Sequence, residues 1–209
     1  MVTSDSSGKI NVLLAQVNFI VGDLKGNVQK IEDTLKFAQK NHFHLVCFPE
    51  MSLPGYPIQD LIFDRDFYES QNIILNQIAS KFSDLTFIIG AFGIEKDPTH
   101  FPKYQNAAYI YQNGKLIQKI SKRLIPTYDV FDEKRYFWSG DNYQPVEIEG
   151  IKIGIAICED LWEEEYQTNV AKQLKENGAD IIISINGSPY FIDKQTIRED
   201  LIQTKAKTF

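Results

Sequence analysis

The 209 residues are 43% hydrophobic and 24% charged, enough apolar content to bury a substantial core in one domain or a piece of a larger one. A formal net charge of −6 counts against nucleic acid or an anionic membrane as the main partner. Cys47 and Cys158 form no CxxC pair, the histidines His42, His44 and His100 have no metal-binding spacing, and no apolar run reaches the length of a membrane span.

The polar start MVTSDSSGK lacks the apolar core of a signal peptide, which points to a reducing, cytoplasmic compartment. Residues 1–8 read as a disordered lead-in. Ile10–Val17 is a short apolar run and the first core strand. After a turn at Gly22-Asp23, Val28, Ile31, Leu35 and Ala38 recur at helical spacing and predict a helix over Asn27–Lys40. His44–Phe48 is a second buried strand, closed by Pro49-Glu50. The Pro- and Gly-rich stretch that follows is irregular, and Phe67–Phe82 is helical with Ile73, Ile74, Ile78 and Ala79 toward the core.

Leu85–Phe92 is the third strand, and Gly93–Gln105 reads as a polar loop. Ala107–Tyr111 and Lys115–Ile120 flank Gln112-Asn113-Gly114, a hairpin by its Asn-Gly signal. Ser121–Gln144 is a long irregular segment, dense in aromatic and charged residues, of the kind that carries function. Pro145–Ile148 and Ile151–Ile157 form a second hairpin-like pair. A helix is expected over Glu163–Asn177, closed by Gly178. Ala179–Ile185 is a further apolar strand, and Thr196–Thr208 starts another helix. That helix reaches the last residue with no stop signal, so the chain is expected to be a piece of a longer protein. The element order mixes βαβ units with hairpins and implies a mixed sheet covered by helices.

Polar residues gather where these strands end, the usual place for a site in an open α/β sheet. Cys158 ends the run GIAI, with Glu159 and Asp160 directly behind it. A cysteine there is either a buried, inert hydrophobe or a presented nucleophile. Glu50 follows HLVCFP, and Lys122 follows the strand ending at Ile120. A buried carboxylate can take a thiol's proton. A lysine ammonium can hold an oxyanion and favour the thiolate. Read singly, Glu50 is a turn carboxylate and Lys122 a surface lysine.

Three stretches together resemble the nitrilase (carbon–nitrogen hydrolase) superfamily. They are Phe48-Pro49-Glu50, Lys122-Arg123-Leu124-Ile125-Pro126, and the strand ending Cys158-Glu159-Asp160, in family order. Within it, LPGYPIQDLIFDRDF, TYDVFDEKRYF, CEDLW and NGSPY are similar to the glutaminase domain of glutamine-dependent NAD synthetases. The resemblance implies an α/β fold, an αββα four-layer sandwich of nitrilase type that is C-terminally truncated here, spanning residues 9–209. It implies Glu50 as general base, Cys158 as nucleophile and Lys122 as oxyanion partner, with Glu133 supporting Lys122.

L-Glutamine would be hydrolysed through a thioester. Its ammonia would serve an ATP-dependent synthetase domain, missing from this chain, that amidates deamido-NAD. ATP and magnesium would belong to that domain, since neither an S-G-G-x-D-S stretch nor a Walker-type loop occurs here. A homo-oligomer is also implied.

Tyr128, Glu159 and Ser188 are the candidate partners of the substrate's α-amino and α-carboxylate groups. The loop aromatic and turn-residue readings of Tyr128 and Ser188 remain open. Arg135 and Arg198 are either surface arginines or carboxylate partners. Trp138 and Trp162 read as core or rim aromatics, and Cys47, inside a strand, as inert. The competing functional readings are a free-standing amidase or carbamoylase of the same superfamily and a catalytically silent scaffold.

Overall fold

Strands whose side chains alternate between two apolar environments require a layer on each face. The computed structural model describes residues 9–95 and 102–208. The lead-in over residues 1–8, His100 and the middle of the loop expected at Gly93–Gln105 lie outside the described residues. The elements are β1 (Val12–Leu14), α1 (Leu24–Lys40), β2 (Leu45–Cys47), α2 (Arg65–Lys81), β3 (Thr86–Glu95) and β4 (Lys103–Gln112). There follow β5 (Lys115–Ser121), β6 (Val146–Ile148), β7 (Ile151–Ile157), α3 (Val170–Glu176), β8 (Ile181–Ile185) and α4 (Lys194–Thr208).

The strands form two sheets rather than one. The first has the order β1-β2-β3-β4-β5, parallel from β1 to β3 and antiparallel onward; the second has the order β6-β7-β8. β6 and β7 are antiparallel, β7 and β8 parallel. On β3, Phe87, Ile89 and Ala91 face Ile31 and Leu35 of α1 and Leu75 and Ile78 of α2. Ile88, with Ala108 and Ile110 of β4, faces Ile153, Ile155 and Ile157 of β7. Ala171 of α3 and Leu201 of α4 pack with Ala156 on the far side of the second sheet. The layers therefore run helix, sheet, sheet, helix.

Both hairpins close with two residues at positive φ, Asn113-Gly114 (51° and 71°) and Glu149-Gly150 (52° and 75°), whose twist matches that of the strands. The ends of several elements differ from the sequence expectation. β1 is shorter than Ile10–Val17 because it is an outer strand with Leu14 63% exposed. β3 and β4 extend into the expected loop, pairing as far as Glu95↔Lys103.

Two helices differ for polar reasons. α2 buries Gln71, Leu75, Ile78 and Ala79, while Ile73 is exposed. Ile73 lies roughly 200° round the helix from Leu75. The phase is set by Gln71, whose amide donates to Phe92 O at 2.8 Å. α3 begins at Val170, not at 163. Glu163 folds back so that its Oε2 accepts from Val170 N at 2.6 Å, and Asn169 caps Lys172 N at 2.7 Å. Gly178, φ +87°, ends the segment as its sequence suggests.

Candidate active site

Glu50 reaches the site because β3 carries a glycine beneath it. A Cβ on Gly90 would stand 2.3 Å from Met51 N and 2.4 Å from Pro49 O, so only glycine lets the Pro49–Met51 turn settle on the strand. Leu53 N donates to Gly90 O at 3.1 Å and fixes the turn there. Glu50 is buried, and both of its oxygens are engaged. Oε1 accepts from Lys122 Nζ at 2.8 Å and from Asn106 Nδ2 at 2.7 Å; Oε2 accepts the Gly187 backbone N–H at 2.8 Å.

Lys122 is the first residue after β5, and its side chain is 1% exposed. Nζ also donates to Glu133 Oε1 at 2.7 Å, and Tyr56 OH donates to the same oxygen at 3.0 Å. Burial alone would lower the Lys122 ammonium, but the carboxylates of Glu50 and Glu133 overcome it and hold it well above its ordinary value. Burial pushes the Glu133 carboxyl up to about 7 against the pull of Lys122. An ammonium has three N–H donors. The two carboxylates engage two of those on Lys122 and leave one for a developing oxyanion.

Cys158 sits where β7 gives way to a single 3-10 turn over Cys158–Leu161, at φ +46°. A non-glycine residue in that region is strained, and a strand-to-helix turn of this kind presents its side chain. Sγ lies 3.1 Å from Ser188 Oγ. Burial first, and then the charge of Glu50, push the thiol up to about 12. That shift favours the thiol over the thiolate, so nucleophilic attack calls for a base, and Glu50 is the carboxylate whose charge it feels.

Glu159, next in sequence, is held by two tyrosines. Tyr128 OH donates to both its oxygens at 3.0 Å, and Tyr166 OH donates to Oε1 at 3.0 Å. Burial raises the Glu159 carboxyl above its ordinary value, and it raises both phenols. This trio and Trp162 line a cleft of about 790 Å³. Lys194, at the start of α4, places Nζ 3.9 Å from the Trp162 ring centre. A second depression of about 640 Å³ holds Tyr56, Glu133, Arg135 and Gly187, and Phe131 and Pro189 line both.

The structure thus brings together Glu50, Lys122, Glu133, Cys158 and Ser188, with Tyr128 and Glu159 on the adjoining wall. Arg135 is exposed at the rim of the second depression. Arg198 lies on α4 outside the lining of either cavity. Trp162 is a cleft residue, whereas Trp138 is exposed beneath Lys103. Cys47 is a core residue of β2 whose thiol burial raises to about 12. Sequence reasoning missed Asn106, Tyr56, Tyr166 and the Gly187 N–H. Only Asn106 left a signal, an amide opening the apolar run AAYIY. Among the described residues no cluster of His, Cys, Asp and Glu could hold a metal ion, and no helix is long and apolar enough to cross a membrane.

A family model for carbon–nitrogen hydrolases matches residues 12–203. The chain is 34% identical over 199 residues to a glutamine-dependent NAD(+) synthetase of Aquifex aeolicus, covering 95% of this chain and 34% of the relative. It is 34% identical over 200 residues to that of Thermotoga maritima, covering 95% and 33%. The chain spans about a third of the length of these curated relatives. Among solved structures, the glutamine-dependent NAD+ synthetase of Acinetobacter baumannii superposes with a TM-score of 0.86 at 30% identity, covering 95% of this chain and 36% of that one. An amidase from Nesterenkonia sp. AN1 superposes with a TM-score of 0.78 at 16% identity, covering 95% and 74%, a likeness of fold alone.

Proposed function

The chain belongs to the carbon–nitrogen hydrolase family, and from that premise we propose that it hydrolyses the side-chain amide of L-glutamine through a cysteine thioester. The observation that carries the chemistry is the meeting of Glu50, Lys122, Glu133 and Cys158 in one buried cluster from three distant parts of the sequence. The choice of glutamine rests on the 34% identity to glutamine-dependent NAD(+) synthetases.

In this reading Glu50 takes the thiol proton as Cys158 attacks the amide carbon. The oxyanion is met by the remaining N–H of Lys122 and the backbone N–H of Glu159. Glu50 returns the proton to nitrogen, the C–N bond breaks, and ammonia leaves a glutamyl thioester. A water deprotonated by Glu50 then attacks the thioester, freeing glutamate and restoring the thiol. Tyr128, Glu159 and Ser188 orient the substrate, with the Glu159 carboxylate opposite the α-ammonium. The ammonia is proposed to pass to an ATP-dependent synthetase domain that amidates deamido-NAD.

Ammonia release from glutamine by the purified protein is the test. Turnover is expected for the wild type, none above background for Cys158→Ala, and a loss of about 10²-fold or more for Glu50→Gln. Turnover of simple aliphatic amides with glutamine left untouched would overturn the glutamine assignment and leave the cysteine chemistry standing.

A further inference from the structure

Asn106 has no place in the chemistry above, yet it touches two of its participants. On β4 the row Ile110, Ala108, Asn106 points to the space between the sheets. The first two members are apolar core. The third is an amide, fully buried, where that row meets the end of β7.

Its two polar functions act on different partners. The β4–β5 ladder pairs Ala107 with Ser121, and beyond it Lys122 N donates to Asn106 O at 2.8 Å. This bond sets where Lys122 leaves the sheet. The side-chain Nδ2 donates at 2.7 Å to Glu50 Oε1, the same oxygen that Lys122 Nζ reaches at 2.8 Å. Oε1 thus carries two donors. Among the described residues Oε2 carries only the Gly187 N–H, and the Gly187 backbone also reaches Cys158. Two donors on one carboxylate oxygen stabilise negative charge there and direct an incoming proton to the other.

The remaining atom argues against a purely structural amide. Asn106 Oδ1 is buried and has no hydrogen-bond donor among the described residues. Burying an unpaired acceptor opposes folding. A leucine in this apolar row would avoid that cost.

We propose that Asn106 is a positioning residue of the hydrolytic centre, holding Glu50 so that Oε2 accepts the thiol proton and seating Lys122 against the same carboxylate. The inference rests on the reading of Glu50 as the base, not on glutamine as the substrate. The amide is a neutral, permanent donor, so it fixes the carboxylate without competing for protons. Lysine alone would anchor Oε1 through a flexible stem.

The experiment compares wild type, Asn106→Leu and Asn106→Asp, all checked for folding by circular dichroism. It reads glutamine kinetics and the rate of Cys158 alkylation by iodoacetamide. For folded Asn106→Leu, kcat is expected to fall at least about tenfold with KM within about threefold, and alkylation to slow in parallel. Values of kcat and alkylation within about twofold of wild type would overturn the proposal, and so would a change confined to KM. If Asn106→Leu does not fold, Asn106→Asp decides. A new carboxyl against Glu50 should move the acid limb of kcat/KM to higher pH, and an unmoved limb would refute the positioning role. Alkylation does not depend on the substrate. A wild type that ignores glutamine, with alkylation still slowed in the variants, would therefore sink the glutamine reading alone.

Discussion

Lys122 and Arg123 are neighbours in sequence, yet they build two buried ionic clusters of opposite character. Around Arg123 and Asp160 the described bonds close on one another. Asp160 Oδ1 accepts from Arg123 N and Leu124 N at 2.8 and 2.9 Å, and Oδ2 from Ile157 N and Arg123 Nη1 at 3.0 and 3.1 Å. The guanidinium also donates to Asn142 O and Ile155 O, with Tyr143 across its face. Around Lys122, by contrast, Glu133 Oε2 and Asn106 Oδ1 are buried acceptors without a donor among the described residues, and Cys158 holds a strained φ. A closed network anchors the β7 turn and the start of the lysine loop. An open one keeps hydrogen-bonding capacity for something that arrives. The same alternation of neighbouring residues that feeds one cluster feeds the other, so the frame and the chemistry are set at one height.

The comparison breaks first at Asp160. Asp160→Ala would strand a buried guanidinium and three backbone donors, and a buried pair broken on one side typically costs about 3–5 kcal/mol. Urea unfolding should show that loss. A guanidinium, unlike a carboxylate, stays charged across the working pH range, so changing pH should not recover it. The double variant Arg123→Met/Asp160→Leu should be more stable than Asp160→Ala. A stable, inactive Asp160→Ala would instead place Asp160 in the chemistry and erase the distinction.

Lys122→Met is next in size. Under the proposed function Lys122 meets the oxyanion, so removing its cation should lower kcat by about 10²–10³-fold. It also strands Glu50 and Glu133, but carboxylates, unlike arginine, can accept protons. The variant should therefore be more stable, relative to wild type, at pH 5 than at pH 8. Equal destabilisation at both would show that the two clusters respond alike.

Glu133 sharpens the same point without touching the thiol. Its carboxyl is raised to about 7, chiefly by burial, from an ordinary 4.5. Below 4.5 it is protonated in both the folded and unfolded states. Between those values the unfolded chain releases the proton while the folded one keeps it, so stability from this group drains away as pH rises to 7. At about 1.36 kcal/mol per pH unit the slope could amount to roughly 3 kcal/mol at most. Glu133→Gln should flatten it in urea titrations at pH 5 and 7.5. An unchanged slope would mean that Glu133 is ionised throughout.

Much of this was legible before any coordinates. The apolar runs ending in Glu50, Lys122 and Cys158 located the strand ends, and three spaced motifs pointed to the family. What escaped was set by polar contacts across the fold. The buried face of α2 is fixed by Gln71 bonding Phe92, and the start of α3 by Glu163 reaching back to Val170. No helical periodicity encodes either. Asn106 and Tyr166 have partners dictated by register and by a turn, so composition and spacing around them carry no trace of Glu50 or Glu159.

The smallest effects belong to the cleft wall, where the two tyrosines on Glu159 differ in reach. Tyr128 is 47% exposed and donates to both carboxylate oxygens; Tyr166 donates to one. A lost hydrogen bond to a charged group is worth about 1.5–3 kcal/mol when buried and less where water can replace it. Under the proposed function the Glu159 carboxylate meets the substrate's ammonium and no reacting atom, so the loss should appear mainly in binding. Tyr166→Phe and Tyr128→Phe should each raise KM for glutamine by about three- to tenfold with kcat changed by less than about threefold. If kcat fell and KM held, Glu159 would be acting on the transition state, and the wall would have to be counted with the open cluster around Lys122.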